Sequence, residues 1–362
     1  MRIQRLMLSA DAVGGVWTYA LELATGLAEQ GIEVLVAVLG PPPAPEQCAA
    51  AERVAGLTLR HGDFPLEWMQ DAVPEQAAAG EWLLALAREW KPDVVHLNHY
   101  GHGHLEWPAP ALVVAHSCVG SWFECVRGEP AGPEWEGYRR LLARGLQGAP
   151  MVIAPTQAML DATQRLYGPF RASRVIHNGR RAADFPAGDK APHILSAGRL
   201  WDEAKNVGTL ARIAGELPWP VRVAGDTAHP EGGDAAFEGV HLLGRLDPAA
   251  MARAYAQASI YALPARYEPF GLSALEAALA GCALVLGDIA SLRELWNGAA
   301  VFVPPDDGAA LAQALRGLIE DAPRRDELAR RAHERALGYD SARMVARYLQ
   351  TYSELVRPPE AA

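Results

Sequence analysis

Short runs of consecutive apolar residues alternate along this chain with longer stretches in which apolar positions recur every three or four residues. The runs Ile3 to Leu8, Glu33 to Leu39, Val94 to Leu97, Leu112 to Ala115, Met151 to Ala154 and Arg174 to His177 predict buried strands. Helices are predicted from about Gly15 to Gln30, Pro74 to Trp90, Trp135 to Gln147 and Gln157 to Tyr167, and the Pro-rich stretch Pro41 to Pro45 reads as a loop. A second series of strands begins at His193 to Ala197 and continues through Arg222 to Gly225, His241 to Leu243, Ile260 to Leu263 and Ala283 to Leu286. Strands without a polar face, alternating with helices, imply a mainly parallel sheet covered on both sides. The expected fold class is therefore α/β, with two Rossmann-like, doubly wound domains over 1–182 and 190–339 and a linker near 180–192. A last helix, Ser341 to about Leu355, follows the break Gly338-Tyr339-Asp340, where Asp340 is a candidate N-cap.

The richest stretch runs from Ala262 to Asp288, ALPARYEPFGLSALEAALAGCALVLGD. A buried strand enters a turn carrying Glu268, Pro269, Phe270 and Gly271, and a helix then opens whose second turn presents Glu276. The first N–H groups of a helix lack intrahelical partners and lie at the positive end of its dipole, so amides near Gly271, Leu272 and Ser273 suit phosphate oxygens. Glutamates eight apart also occur at Glu67/Glu75 and Glu81/Glu89, so spacing alone carries nothing; the whole phrase does. A related phrase, ILSAGRLWDEAKNV from Ile194 to Val207, places Arg199 and Lys205 after a strand, where fixed cations can stabilise a departing diphosphate. The chain has no Asp-x-Asp for a metal-held diphosphate.

Together these phrases resemble the retaining nucleotide-sugar glycosyltransferases of the large family four (glycosyl transferases group 1), whose fold is GT-B: two Rossmann-like domains facing a central cleft. The resemblance extends from Gly14-Gly15 to the last helix, which in that family returns over the first domain, so that 340–357 would join 1–182. It implies that Glu268 orients the donor sugar, Arg199 and Lys205 hold the diphosphate, Glu276 accepts the ribose hydroxyls and the base lies near Gly244 to Leu246. It also matches Gly15 to an early glycine loop and His116 to a strand-end histidine beside the reacting sugar. Taken alone, these two residues fit a plain strand-to-helix turn and a histidine satisfied by backbone. Asn178-Gly179 matches the end of another family phrase, but the Val-Asp that usually follows is Arg180-Arg181 here.

Trp17, Tyr19, Tyr100 and Trp122 fall in or near loops after first-half strands, where an acceptor would lie, although ordinary packing accounts for most such rings. His99, His102, His104 and His116 raise a metal reading, against which no carboxylate triad accompanies them, and no metal is expected. Arg139, Arg140 and Arg144 on one helix can touch an anionic membrane or form a solvated face.

At 362 residues, half of them apolar, the chain is long enough for two cores. A formal net charge of −10 and the lack of a basic run argue against nucleic acid as a partner. Cys48, Cys118, Cys125 and Cys282 have no metal or redox spacing, which suits reduced thiols. The run after Arg2 and Arg5 is broken by Ser9 and Asp11, so it reads as a strand, and no membrane span is evident; a cytoplasmic enzyme is expected, with peripheral membrane contact open. The resulting expectation is a metal-independent transferase without a bound cofactor, moving a sugar from a nucleotide-sugar co-substrate to a small-molecule, glycan or lipid-linked acceptor with retention. UDP is favoured over GDP or ADP on family frequency. A GT-B epimerase and a non-catalytic sugar-binding sensor are the alternatives. Because Gly15 and His116 belong to one half and the donor residues to the other, donor binding would require the halves to close.

Overall fold

The computed structural model describes residues 3–69, 71–228, 232–233 and 235–357; Arg2, named above, lies outside these. The chain divides into two compact units, one formed by 1–124, 129–179 and 341–362, the other by 125–128 and 180–340.

The first unit contains β1 (Arg5–Asp11), β2 (Glu33–Leu39), β3 (Leu57–Gly62), β4 (Val94–Leu97), β5 (Ala111–Val114), β6 (Val152–Ala154) and β7 (Ser173–Val175). They form one sheet in the order β3-β2-β1-β4-β5-β6-β7, with every pair parallel. Leu6, Met7 and Leu8 are fully buried in succession, as a strand covered on both faces requires. The sheet has two features that apolar runs do not announce. The edge strand β3 is only partly buried and carries Arg60 and His61, and the helix Pro45–Glu52 before it buries Ala51 alone, so neither gives a clear period. Pro45 itself opens that helix, at the position where a proline's missing N–H costs nothing.

The helix Ser341–Leu355 packs in this unit, its Met344, Val345, Tyr348 and Tyr352 sharing a core with Leu6, Leu23 and Ile153. It approaches the helix Gly15–Ala28 so closely that a Cβ on Gly26 would lie 2.4 Å from Val345 Cγ2. Tyr352 is tied to the sheet by a 2.6 Å hydrogen bond between its hydroxyl and His96 Nδ1.

The second unit contains β8 (Ala191–Ala197), β9 (Val221–Ala224), β10 (His241–Gly244), β11 (Ala258–Leu263), β12 (Ala283–Gly287) and β13 (Val301–Val303), in the order β10-β9-β8-β11-β12-β13. All neighbours are again parallel. In both sheets the first strand sits centrally, with the second strand on one side and the fourth on the other. Connections therefore depart in opposite directions from β1/β4 and from β8/β11, and a crevice opens at the carboxyl ends of each of those pairs. The short half-buried β13, Val-Phe-Val, is not among the strands expected above, although it ends an apolar run. No helix among the described residues is long and apolar enough to cross a membrane, and all four cysteines are free thiols.

Candidate active site

In the second unit the crevice between β8 and β11 is walled by two loops, and each carries part of the phrases singled out above. After β8 the backbone turns at Gly198 and folds into a compact loop closed by Asp202. The Asp202 carboxylate accepts from Ala204 N at 3.0 Å and from Arg199 Nη2 at 2.7 Å, so one buried acid caps the turn Glu203–Lys205 and holds the Arg199 guanidinium. Arg199 also lies over the Trp201 ring, 5.2 Å from its centroid, and its side chain is 40% exposed, leaving it open to solute. Two bends meet here: Gly225, after β9, has φ 146°, and a Cβ on it would lie 1.8 Å from Gly198 O. Only glycine permits that approach.

The loop after β8 is fastened to the loop after β11 by Asn206. This residue is left-handed (φ 54°), and its amide donates to Pro264 O at 2.9 Å and Pro305 O at 2.6 Å while its Oδ1 accepts from Thr209 at 2.8 Å. Arg266 N also donates to Ala204 O at 2.8 Å. This double anchor brings Lys205 to Glu268: the ammonium hydrogen-bonds the Glu268 carboxylate in a largely buried ion pair, side chains 14% and 11% exposed. Lys205's stem would touch a Cβ on Gly198 at 3.4 Å, so Lys205 and Arg199 emerge from the same turn. The Glu268 backbone is fixed separately, its carbonyl accepting from Ser291 Oγ at 2.5 Å.

Gly271, in the left-handed region at φ 86°, is the N-cap of the helix Leu272–Leu279. Ser273 in its first turn accepts from Tyr261 at 2.7 Å, while Leu272 and Leu246 are partly buried against the core. Phe270 is 4% exposed and packs edge-on against Tyr339, so its ring belongs to the core and a donor contact there would fall to its backbone. Glu276 forms an ion pair with Arg180, 3.0 Å from Nε to Oε1, and a hydrogen bond with the buried Tyr255 hydroxyl. The Glu276 carboxylate thus has partners from this chain that the sequence reading did not anticipate.

In the first unit Gly15 is exposed at the start of the helix Gly15–Ala28. His116, just past β5, lies 2.8 Å through Nε2 from Asn98 Oδ1, and its ring meets Tyr19 edge-on at 4.6 Å. Asn98 is itself buried and donates to Ser9 O at 2.7 Å, which places His116 beside the β1/β4 switch point. The aromatic candidates for the acceptor are mostly interior. Trp17 packs in the core of the unit with Ala20, Val36 and Ala51. Tyr19 is hydrogen-bonded to His96 at 3.2 Å, and Tyr100 gives its hydroxyl to Ser117 O at 2.6 Å and accepts from Ser117 N at 2.9 Å. Of the four, only Trp122, half-buried against Phe123, presents part of its ring outward.

Four histidines of this unit are held neutral by burial. His96, His99 and His116 are lowered to about 3 and His102 to about 4, desolvation being the largest cause in each. Among the described residues no group of three or more His, Cys, Asp or Glu is placed to hold a metal ion. Glu67, set aside above because its spacing recurs, is buried, with both oxygens accepting from the Tyr100 and Gly101 amides at 3.0 and 2.9 Å. Burial outweighs those bonds and raises it to about 7. Arg139 and Arg140 both pair with Glu136, as on a solvated face.

Known protein families match both halves of the chain. Residues 13–182 match the family model Glycosyltransferase Family 4, and residues 191–321 match Glycosyl transferases group 1. The chain is 28% identical to the glycogen synthase of Mycobacterium tuberculosis strain H37Rv, over 89% of this chain and 86% of that one. It is also 28% identical to the D-inositol 3-phosphate glycosyltransferase of Kineococcus radiotolerans, over 95% and 91% of the two chains. Among solved structures, sucrose-phosphate synthase from Thermosynechococcus elongatus superposes with TM-score 0.80 at 19% identity, covering 97% of this chain and 99% of that one. Anabaena HepE, solved with UDP and glucose, superposes with TM-score 0.76 at 16% identity, covering 98% and 100%. With parallel sheets wound in the same order in both units and family models matched in both halves, the chain belongs to the family 4 glycosyltransferases of the GT-B fold.

Proposed function

We propose that this glycosyltransferase takes its sugar from a nucleoside-diphosphate donor, UDP-sugar before GDP- or ADP-sugar, and transfers it to an acceptor hydroxyl with retention and without a metal. The observation that carries the reading is the junction of Arg199, Lys205 and Glu268 at the β8/β11 switch point, ahead of the helix that begins at Leu272. Arg199 and Lys205 would neutralise charge building on the diphosphate as the anomeric C–O bond breaks, and amides of the first helical turn would hold its oxygens. Glu268, paired with Lys205, would receive the sugar hydroxyls and stabilise positive charge at the anomeric carbon. The acceptor oxygen would bond to that carbon from the face the diphosphate leaves, its proton passing to the departing phosphate. Glu276 would take the ribose. HepE was solved with UDP-glucose, which supports a UDP donor here without fixing the sugar.

A donor site that neutralises diphosphate with guanidinium and ammonium groups should keep its turnover in excess EDTA. Nucleoside diphosphate release, assayed with a panel of nucleotide-sugars before and after chelation, checks this. Activity abolished by EDTA and restored by magnesium or manganese would transfer the diphosphate to a metal and remove these two cations from the central role.

A further inference from the structure

Arg180 opens the main segment of the second unit, at the position where the phrase after Asn178-Gly179 departs from its family. Its backbone is pinned: the amide donates to Tyr339 O at 3.1 Å, and Arg180 bridges Asp340 as an isolated parallel pair. Tyr339 in turn packs edge-on against Phe270 of the Glu268–Gly271 turn and against Trp296. From this anchored point the guanidinium crosses the Phe185 ring, 5.0 Å from its centroid, and ends on the Glu276 carboxylate. Side-chain exposures of 15% and 13% place both members of the ion pair out of bulk water, and the Tyr255 hydroxyl supplies a hydrogen bond to Glu276.

We propose that Arg180 is a positioning residue for the nucleoside end of the donor. Its ion pair holds the Glu276 carboxylate in place to receive a ribose hydroxyl. The assignment rests on Glu276 being the ribose acceptor. Its physical basis is that a carboxylate on a partly buried helix face keeps its charge only with a partner, and a planar fork fixed by an aromatic face supplies orientation that a flexible ammonium does not. The sequence Arg180-Arg181 therefore supplies a local anchor that Val-Asp would not.

The test is calorimetric titration of UDP, GDP and ADP into the full-length wild-type protein, followed by titration of the diphosphate it binds into Arg180→Gln, Arg180→Lys, Glu276→Ala and the double variant Arg180→Gln/Glu276→Ala. Arg180→Gln should weaken the diphosphate by about tenfold and raise the donor KM with little change in kcat, the size expected when a carboxylate largely out of water loses its charged partner. Arg180→Lys should recover part of the loss, and Arg180→Gln should add nothing once Glu276 is alanine. Unchanged diphosphate affinity in Arg180→Gln, with only a lowered melting temperature, would overturn the proposal, as would losses that add in the double variant. Failure of the wild-type protein to bind any of the three diphosphates would instead strike the donor reading itself.

Discussion

Glu268→Gln is expected to cut turnover by roughly 100- to 1,000-fold while leaving affinity for the free nucleoside diphosphate nearly unchanged, the usual signature of a charge stabiliser that acts on the transition state. Glu276→Ala is expected to do the reverse, weakening the diphosphate by about tenfold to 100-fold. The asymmetry follows from what each carboxylate would touch: a sugar that the diphosphate lacks, or a ribose that it retains. Glutamine is the better replacement at 268, because it keeps the side chain's volume beside Gly271 and can still accept from Lys205. Removing the partner of a buried charge outright costs about 3–5 kcal/mol and would confuse lost activity with lost fold. Initial rates and titration calorimetry on the same preparations separate the two. Equal losses of diphosphate affinity in both variants would mean that the roles of Glu268 and Glu276 are wrongly assigned.

The second large effect is acid sensitivity of the first unit. His96, His99 and His102 are buried and neutral, and with His116 they have folded-state values near 3 to 4 against 6.5 when unfolded. A neutral buried histidine contributes stability that is fully present above pH 6.5 and is lost as pH falls toward the folded value, because only the unfolded chain takes up the proton. Between pH 7 and 5 each such group costs about 2 kcal/mol. Glu67 works the other way. Its folded value near 7 makes the native state the better proton acceptor in that window, offsetting about one histidine. With four such histidines and one offsetting carboxyl, a net loss on the order of 6 kcal/mol is expected from pH 7 to pH 5, a large share of a typical domain's stability. Denaturant midpoints at the two pH values, with proton uptake measured on unfolding at pH 5.5, provide the check. Stability that stays flat or rises toward pH 5 would mean that these histidines are charged in the fold.

The architecture was legible because its strands are covered on both faces and appear as apolar runs; the central strands β1, β2, β4, β8, β11 and β12 fall within a few residues of those runs. What was hidden is peripheral: β3 is half-exposed and mixes polar with apolar residues, and β13 is only three residues long. At the site, Arg199, Lys205, Glu268 and Gly271 were visible because a strand end, a turn and a helix start occur within a few residues of each. Asn206 was not singled out, although an asparagine between a turn and a helix is a common left-handed residue, a cue that needs its distant carbonyl partners to become meaningful. Arg180 stood out only as a departure from a pattern. Its partner Glu276 lies 96 residues away, a distance across which one sequence carries no pairing signal. The aromatic candidates misled for the converse reason: Trp17, Tyr19 and Tyr100 fall near loops in sequence but turn inward to pack.

The most direct measurement is time-resolved proton NMR of the sugar released to water from a nucleotide-sugar of defined anomeric configuration, in EDTA and without acceptor. Front-face displacement at the Arg199, Lys205 and Glu268 site predicts that the first anomer to appear, before mutarotation, is that of the donor. First appearance of the opposite anomer would contradict it.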